Sequence, residues 1–111
     1  MKSLTAAEVA RLGAYKDIVE ALREGFRADI TTPVRHHHDI SDVSTLLLMP
    51  AVSATHSGVK IVHVAPGNAA RGLQAVHAAY LLSDAVTGMP VALLDGGELT
   101  DRRTAASSVL A

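Results

Sequence analysis

Three groups of side chains have the types and spacing to do chemistry. Lys60 stands inside the run Val59-Lys60-Ile61-Val62-His63-Val64. In an extended chain Lys60, Val62 and Val64 point one way and Val59, Ile61 and His63 the other. Both faces are then largely apolar, and burying a lysine there is costly. Either its stem carries the ammonium out to water from a strand end, or Lys60 is desolvated beside a site, holding an anion or working with a lowered pKa. The second group is Arg102-Arg103. With Thr100 as an N-cap, Arg103 falls where a capping box would carry an acid, and both cations oppose the helix dipole. Cations beside free N–H groups make a carboxylate or phosphate site; alternatively one arginine pairs with Asp101 or Glu98 and both are solvated. The third group is Arg35-His36-His37-His38-Asp39. Alternate histidines on an extended segment can offer two imidazoles to one metal. No further ligand stands at a matching spacing, so these histidines read as surface or edge residues and no metal is assigned. His63 and His77 read as packed core residues. No glycine-rich dinucleotide loop, P-loop, nucleophile elbow or zinc-protease motif occurs.

The elements that must position these groups can be read from periodicity and breakers. Thr5 is a plausible N-cap before Ala6, Ala7 and Glu8, and Gly13 breaks this first helix. Ile18, Ala21, Leu22 and Phe26 follow helical spacing, with Asp17 and Glu20 early and Arg23 and Arg27 late, as the dipole favours. Asp29 to Asp42 is polar and holds Pro33, so it reads as a loop or an edge strand. Thr45 to Val52 is apolar but contains Pro50, which suits an edge or bent strand. Val59 to Ala65 is strongly β-branched and ends at the turn cluster Pro66-Gly67-Asn68. Ala75–Ser83 and Pro90–Asp95 read as a hairpin around Gly88. Gly96-Gly97 ends the hairpin, and a helix from Thr100 runs to the last residue. The expected class is α+β, with N-terminal helices packed on a mostly antiparallel sheet.

Composition sets the outer bounds. The chain has 111 residues, net charge -1 and no cysteine, which allows one domain with one core and excludes a disulfide frame or thiolate zinc site. Hydrophobic residues make up 49% and aromatic residues 3%, so aliphatic side chains must build the interior. The balanced charge gives no footprint for nucleic acid. The charged N-terminus and short apolar runs give none for a signal peptide or a membrane span, and the expected location is cytoplasmic.

From Leu48 onward the chain resembles the ornithine cyclodeaminase/mu-crystallin family. The resemblance is carried by LMPA (Leu48–Ala51), GVKIV (Gly58–Val62), Pro66-Gly67-Asn68, Thr87–Pro90 and ALLDG (Ala92–Gly96). It ends in Leu99-Thr100 and Arg103-Thr104-Ala105-Ala106. It implies that residues 1–111 are an N-terminal substrate-binding and dimerisation domain, homodimeric through its sheet. In the family a Rossmann domain binding NAD or NADP follows, and the resemblance implies that this domain is absent here or carried on a separate chain. Family enzymes move a hydride between a nicotinamide and the α-carbon of an amino acid or its imine. The resemblance implies Lys60 as the catalytic lysine and Lys60, Arg103 and Arg35 as ligands of the substrate carboxylate. It implies Arg103 and Thr104 on the cofactor side. The histidines beside Arg35 depart from the family pattern. Ala75 replaces a threonine of some cyclodeaminases, and Leu47 precedes LMP where some carry an acid. These departures favour a small or different imine over ornithine. The chain alone, without a cofactor domain, is expected to be inactive; a non-catalytic dimerising module that binds a small ligand is the alternative.

Overall fold

The computed structural model of the chain describes residues 1–25 and 30–110, without the side chains of Tyr15 and 105–110. Phe26, Arg27 and Asp29, and the end of the predicted last helix at Ala111, lie outside the described residues. A short strand β1 (Lys2–Leu4), not expected from the sequence, leads into helices α1 (Ala6–Leu12) and α2 (Tyr15–Gly25). Strands β2 (His36–Ile40), β3 (Ser44–Val52) and β4 (His56–Val64) follow. A 3-10 turn (Pro66–Arg71) leads to β5 (Val76–Asp84), β6 (Pro90–Asp95) and helix α3 (Gly96–Leu110). The six strands form one sheet in the order β1-β6-β5-β4-β3-β2. Only the β1–β6 pair is parallel. The α+β class read from the sequence is the observed one.

Local chemistry explains most element ends. Thr5 caps α1 through a full capping box with Glu8, and Gly13 closes the helix by donating to the Val9 carbonyl. Gly88, at φ +75°, makes the β5–β6 turn, while Asp84 Oδ1 accepts the N–H groups of Val86 and Thr87. The polar segment before Asp42 supplies β2, an edge strand as expected.

Some expectations need correction. β3 is not an edge strand, because β2 pairs with its first half, from His36↔Leu48 to Ile40↔Ser44. Pro50 lies past the end of β2. Val52 N–H points away from β4, to the Thr31 carbonyl at 2.8 Å, so by the alternation of a strand the Pro50 nitrogen also faces away from β4. No ladder hydrogen bond is lost there. The last helix starts at Gly96, not Thr100, with the Asp95 carboxylate accepting the Glu98 N–H at 2.9 Å. Gly96 is no breaker: a Cβ there would come 2.7 Å from the Ala78 carbonyl carbon, so the glycine lets α3 lie directly on β5.

Cross-strand register shows that the sheet has one covered face. Met49, Lys60, Tyr80 and Leu94 are successive Cα partners and share the side on which the helices pack. The buried strand residues Val62 and Ala92 lie on that side, and Val9 of α1 is the other buried apolar residue among the described ones. Leu46, Leu48, Ile61, Ala79, Leu81 and Leu93 alternate onto the other face, where no residue is buried. His63 and His77, expected in the core, are a cross-strand pair on this outer face and are exposed. The alternation that turns Lys60 inward turns His63 outward.

Candidate functional site

Two helices and the sheet leave a cleft of about 730 Å³ between them. α2 lines it with Ile18, Ala21, Leu22 and Gly25, and α3 with Gly96, Leu99, Thr100 and Arg103. Each set follows the i, i+3, i+4, i+7 spacing of one helix face. Ile30 and Thr32 close one side, and Lys60 and Tyr80 form the floor. The volume falls within the range of small-molecule sites, as does the composition, a mostly apolar wall with few converging polar groups.

Lys60 and Arg103, far apart in the chain, therefore meet at one cleft. Lys60 is the Cα partner of Met49 on one side and Tyr80 on the other, so it stands mid-sheet and cannot reach water from a strand end. Its pKa is held below the ordinary lysine value, first by burial and then by the positive charges of Arg103 and Arg35. Arg35 is exposed on the segment before β2 and does not line the cleft, but its charge acts on Lys60. The two arginine charges that depress the charging of Lys60 leave a local excess of positive potential, and an anion relieves it.

Arg102 and Arg103 have separate tasks. Arg102 forms an ion pair with Glu98 at 2.8 Å and donates to the Gly13 carbonyl at 2.7 Å. The pairing with Glu98 is one of the two that the sequence allows. The other premise fails, because the arginines lie in the second turn of α3 and not at its start. Arg103 owes its place to the helix face that enters the cleft, with no help from free N–H groups. Thr104 is exposed on α3 and outside the cleft lining.

The histidine run is a surface feature. His36 and His38 stack with ring centroids 6.1 Å apart, and His37 Nε2 lies 3.1 Å from Asp39 Oδ1. Among the described residues no group of three or more His, Cys, Asp or Glu side chains is arranged to hold a metal ion.

Tyr80 and Thr32 line the cleft without having been singled out in the sequence, and Thr100, read there as a helix cap, joins them. Tyr80 left one trace, as a lone polar-tipped aromatic in an aliphatic strand, but its position opposite Lys60 requires the β4–β5 register. A dinucleotide phosphate group does not fit the described residues. The β6–α3 step is the nearest to a phosphate-binding strand-to-helix turn, and there the Asp95 carboxylate already occupies the first turn, where it would repel a phosphate. No described helix is long and apolar enough to cross a membrane.

Comparison with known proteins agrees with this architecture. The chain is 36% identical over 109 residues to Δ1-pyrroline-2-carboxylate reductase 2 of Burkholderia ambifaria, covering 95% of this chain and 35% of that protein. An archaeal alanine dehydrogenase dimer with bound NAD superposes with a TM-score of 0.88 at 31% identity, covering 96% of this chain and 34% of that one. Δ1-pyrroline-2-carboxylate reductase of Thermococcus litoralis, in complex with NADH and L-proline, gives 0.84 at 29% identity, covering 97% and 36%. The chain thus spans about a third of the length of these proteins and corresponds to their N-terminal part. The sequence profile of the ornithine cyclodeaminase/mu-crystallin family matches residues 2–111, and the chain belongs to that family.

Proposed function

We propose that this chain is the substrate-binding and dimerising part of a cytoplasmic, NAD(P)-dependent amino-acid dehydrogenase or imine reductase. Its task is to hold the substrate by the carboxylate. The observation that carries the proposal is the convergence of Lys60 and Arg103 on one apolar-walled cleft. Lys60 and Arg103 bind the carboxylate directly, and Arg35 adds its charge from the rim. The apolar faces of α2 and α3 receive the uncharged body of the substrate. Fixing the carboxylate fixes the α-carbon, and orientation is what a hydride transfer most needs from the protein. A nicotinamide supplies the hydride. The described residues offer no cradle for its phosphates, so its binding rests on a Rossmann domain, with Arg103 and Thr104 on the side facing it. The substrate is a small cyclic or short α-imino acid, in line with the names of the relatives and with a lining that contains no carboxylate among the described residues. The outer sheet face, apolar and uncovered, is the homodimer surface.

The test is a titration of the chain with pyrrole-2-carboxylate, a stable planar mimic of a cyclic imino acid, followed by NMR. Saturable binding is expected in the wild type. It should be lost in Lys60→Ala and in Arg103→Ala, and the uncharged pyrrole-2-carboxamide should not bind. Equal binding of acid and amide would overturn the reading. NADH oxidation with Δ1-pyrroline-2-carboxylate is expected only when a cofactor-binding domain is supplied.

A further inference from the structure

Tyr80 borders two cavities. One is the cleft that holds Lys60 and Arg103. The other, of about 150 Å³, lies towards the far end of β4 and is lined by Val52, Ser53, His56, Ser57 and Leu82 among others. Tyr80 and Ile30 are common to both linings. The ring occupies this boundary because of the residue diagonally opposite it. Gly58, paired with Leu82, presents bare backbone. A Cβ there would lie 2.6 Å from Tyr80 Cζ and 2.7 Å from Cε1, and closer still to the hydroxyl. The ring is therefore seated over the space that a side chain at 58 would fill. Burial also raises the phenol pKa, so Tyr80 adds no negative charge beside the cations.

We propose that Tyr80 is the specificity wall of the site. Seated on Gly58, its ring divides a channel that would otherwise run on from the cleft, and so limits the substrate to a single small ring or a short side chain. The proposal rests on the carboxylate-holding role given above to Lys60 and Arg103. It adds what decides how much substrate body can follow the carboxylate. Nothing but the ring's bulk is required of it, because the Tyr80 side chain makes no hydrogen bond among the described residues. Shaving the ring joins the two cavities, and adding a Cβ at position 58 drives the ring into the larger one.

The test uses two flat carboxylates that differ in body length, pyrrole-2-carboxylate and the bicyclic indole-2-carboxylate, titrated into the full 111-residue chain. The wild type should prefer the small ring by about tenfold or more, the scale of discrimination by pocket size. Tyr80→Ala should abolish that preference by tightening indole-2-carboxylate, and Tyr80→Phe should keep it. Tyr80→Leu serves the same purpose should the alanine variant not fold. Gly58→Ala should weaken pyrrole-2-carboxylate several-fold, and the double variant Gly58→Ala/Tyr80→Ala should recover it, because no ring remains to be displaced. An unchanged preference in both Tyr80→Ala and Tyr80→Leu, with binding of both probes still abolished by Lys60→Ala, would overturn the wall while leaving the carboxylate site standing. Failure of the wild type to bind either probe would overturn both.

Discussion

Arg102 Nη1 donates to the Gly13 carbonyl at 2.7 Å and so ties α3 to the end of α1. Arg103, one residue and about 100° further round the helix, faces the cleft instead. Under the proposed function the adjacent arginines divide stability from binding. Arg102→Ala removes a charge-assisted bond to a half-buried carbonyl and an ion pair with Glu98, at an expected cost of about 1.5–3 kcal/mol. Arg103 is exposed, and Arg103→Ala should change stability by less than about 0.5 kcal/mol while abolishing carboxylate binding. Urea unfolding of the two variants beside a binding titration checks the division. Equal losses of stability would contradict it.

The depressed pKa of Lys60 sets the pH profile. Burial and the charges of Arg103 and Arg35 move it below the ordinary lysine value, about 10.4. Carboxylate affinity should fall as pH rises through this lowered value. The fall should begin earlier than for a free lysine and be absent in Lys60→Arg. Linkage gives stability the opposite slope. Between the lowered folded value and the unfolded one the unfolded chain binds more protons at this residue, so the Lys60 contribution makes folding more favourable as pH rises through that window. Below the window its charging penalty is fully present. A bound carboxylate should raise the Lys60 pKa, which NMR titration with and without pyrrole-2-carboxylate reads directly.

Gly96→Ala sets helix propensity against packing. Alanine is favoured over glycine in a helix by up to about 1 kcal/mol. At this position its Cβ would approach the Ala78 carbonyl carbon to 2.7 Å, the Ala78 Cβ to 2.8 Å and the carbonyl oxygen to 2.9 Å. Two of these neighbours are backbone atoms that cannot swing away. Net destabilisation of about 1–3 kcal/mol is expected, the range for overpacking. Gly97→Ala is the control, because the nearest atom to its added Cβ is Asp95 Oδ1 at 3.5 Å. A stabilised Gly96→Ala chain in chemical denaturation would refute the close contact of α3 with β5.

The outer face of the sheet carries the self-association prediction. Ile61 and Leu81 lie on the side where no residue is buried, and a contiguous apolar face of this kind marks an interaction surface. Leu81→Lys should turn a dimer into a monomer in sedimentation velocity and leave the circular dichroism spectrum unchanged. A wild-type chain that sediments as a monomer at high micromolar concentration would remove the dimer from the proposal. Broad, polydisperse aggregates would remove it as well.

The amino-acid sequence by itself determined the elements whose signals are local. Thr5 with Glu8, Gly13, the β-branched run around Lys60 and the turn at Gly88 each specify their own conformation through nearest-neighbour sterics and hydrogen bonds. Lys60 also stood out because a charge in an apolar strand has a cost that can be read without coordinates. The motifs further identified a family, and that resemblance implies Arg103 as a ligand of the same carboxylate as Lys60. Tertiary structure decided the rest, wherever the deciding partner is distant in the chain. Gly96 reads as a breaker until Ala78 is seen beneath it. Pro50 reads as an edge signal until the short reach of β2 and the bridge from Thr31 to Val52 account for its nitrogen. His63 reads as core until the register turns it to the uncovered face. Tyr80 is one more aromatic residue until β4 and β5 align, and then it stands between two cavities on the bare backbone of Gly58. In each case the side chain's meaning is set by what packs against it, and one-dimensional spacing carries no record of that.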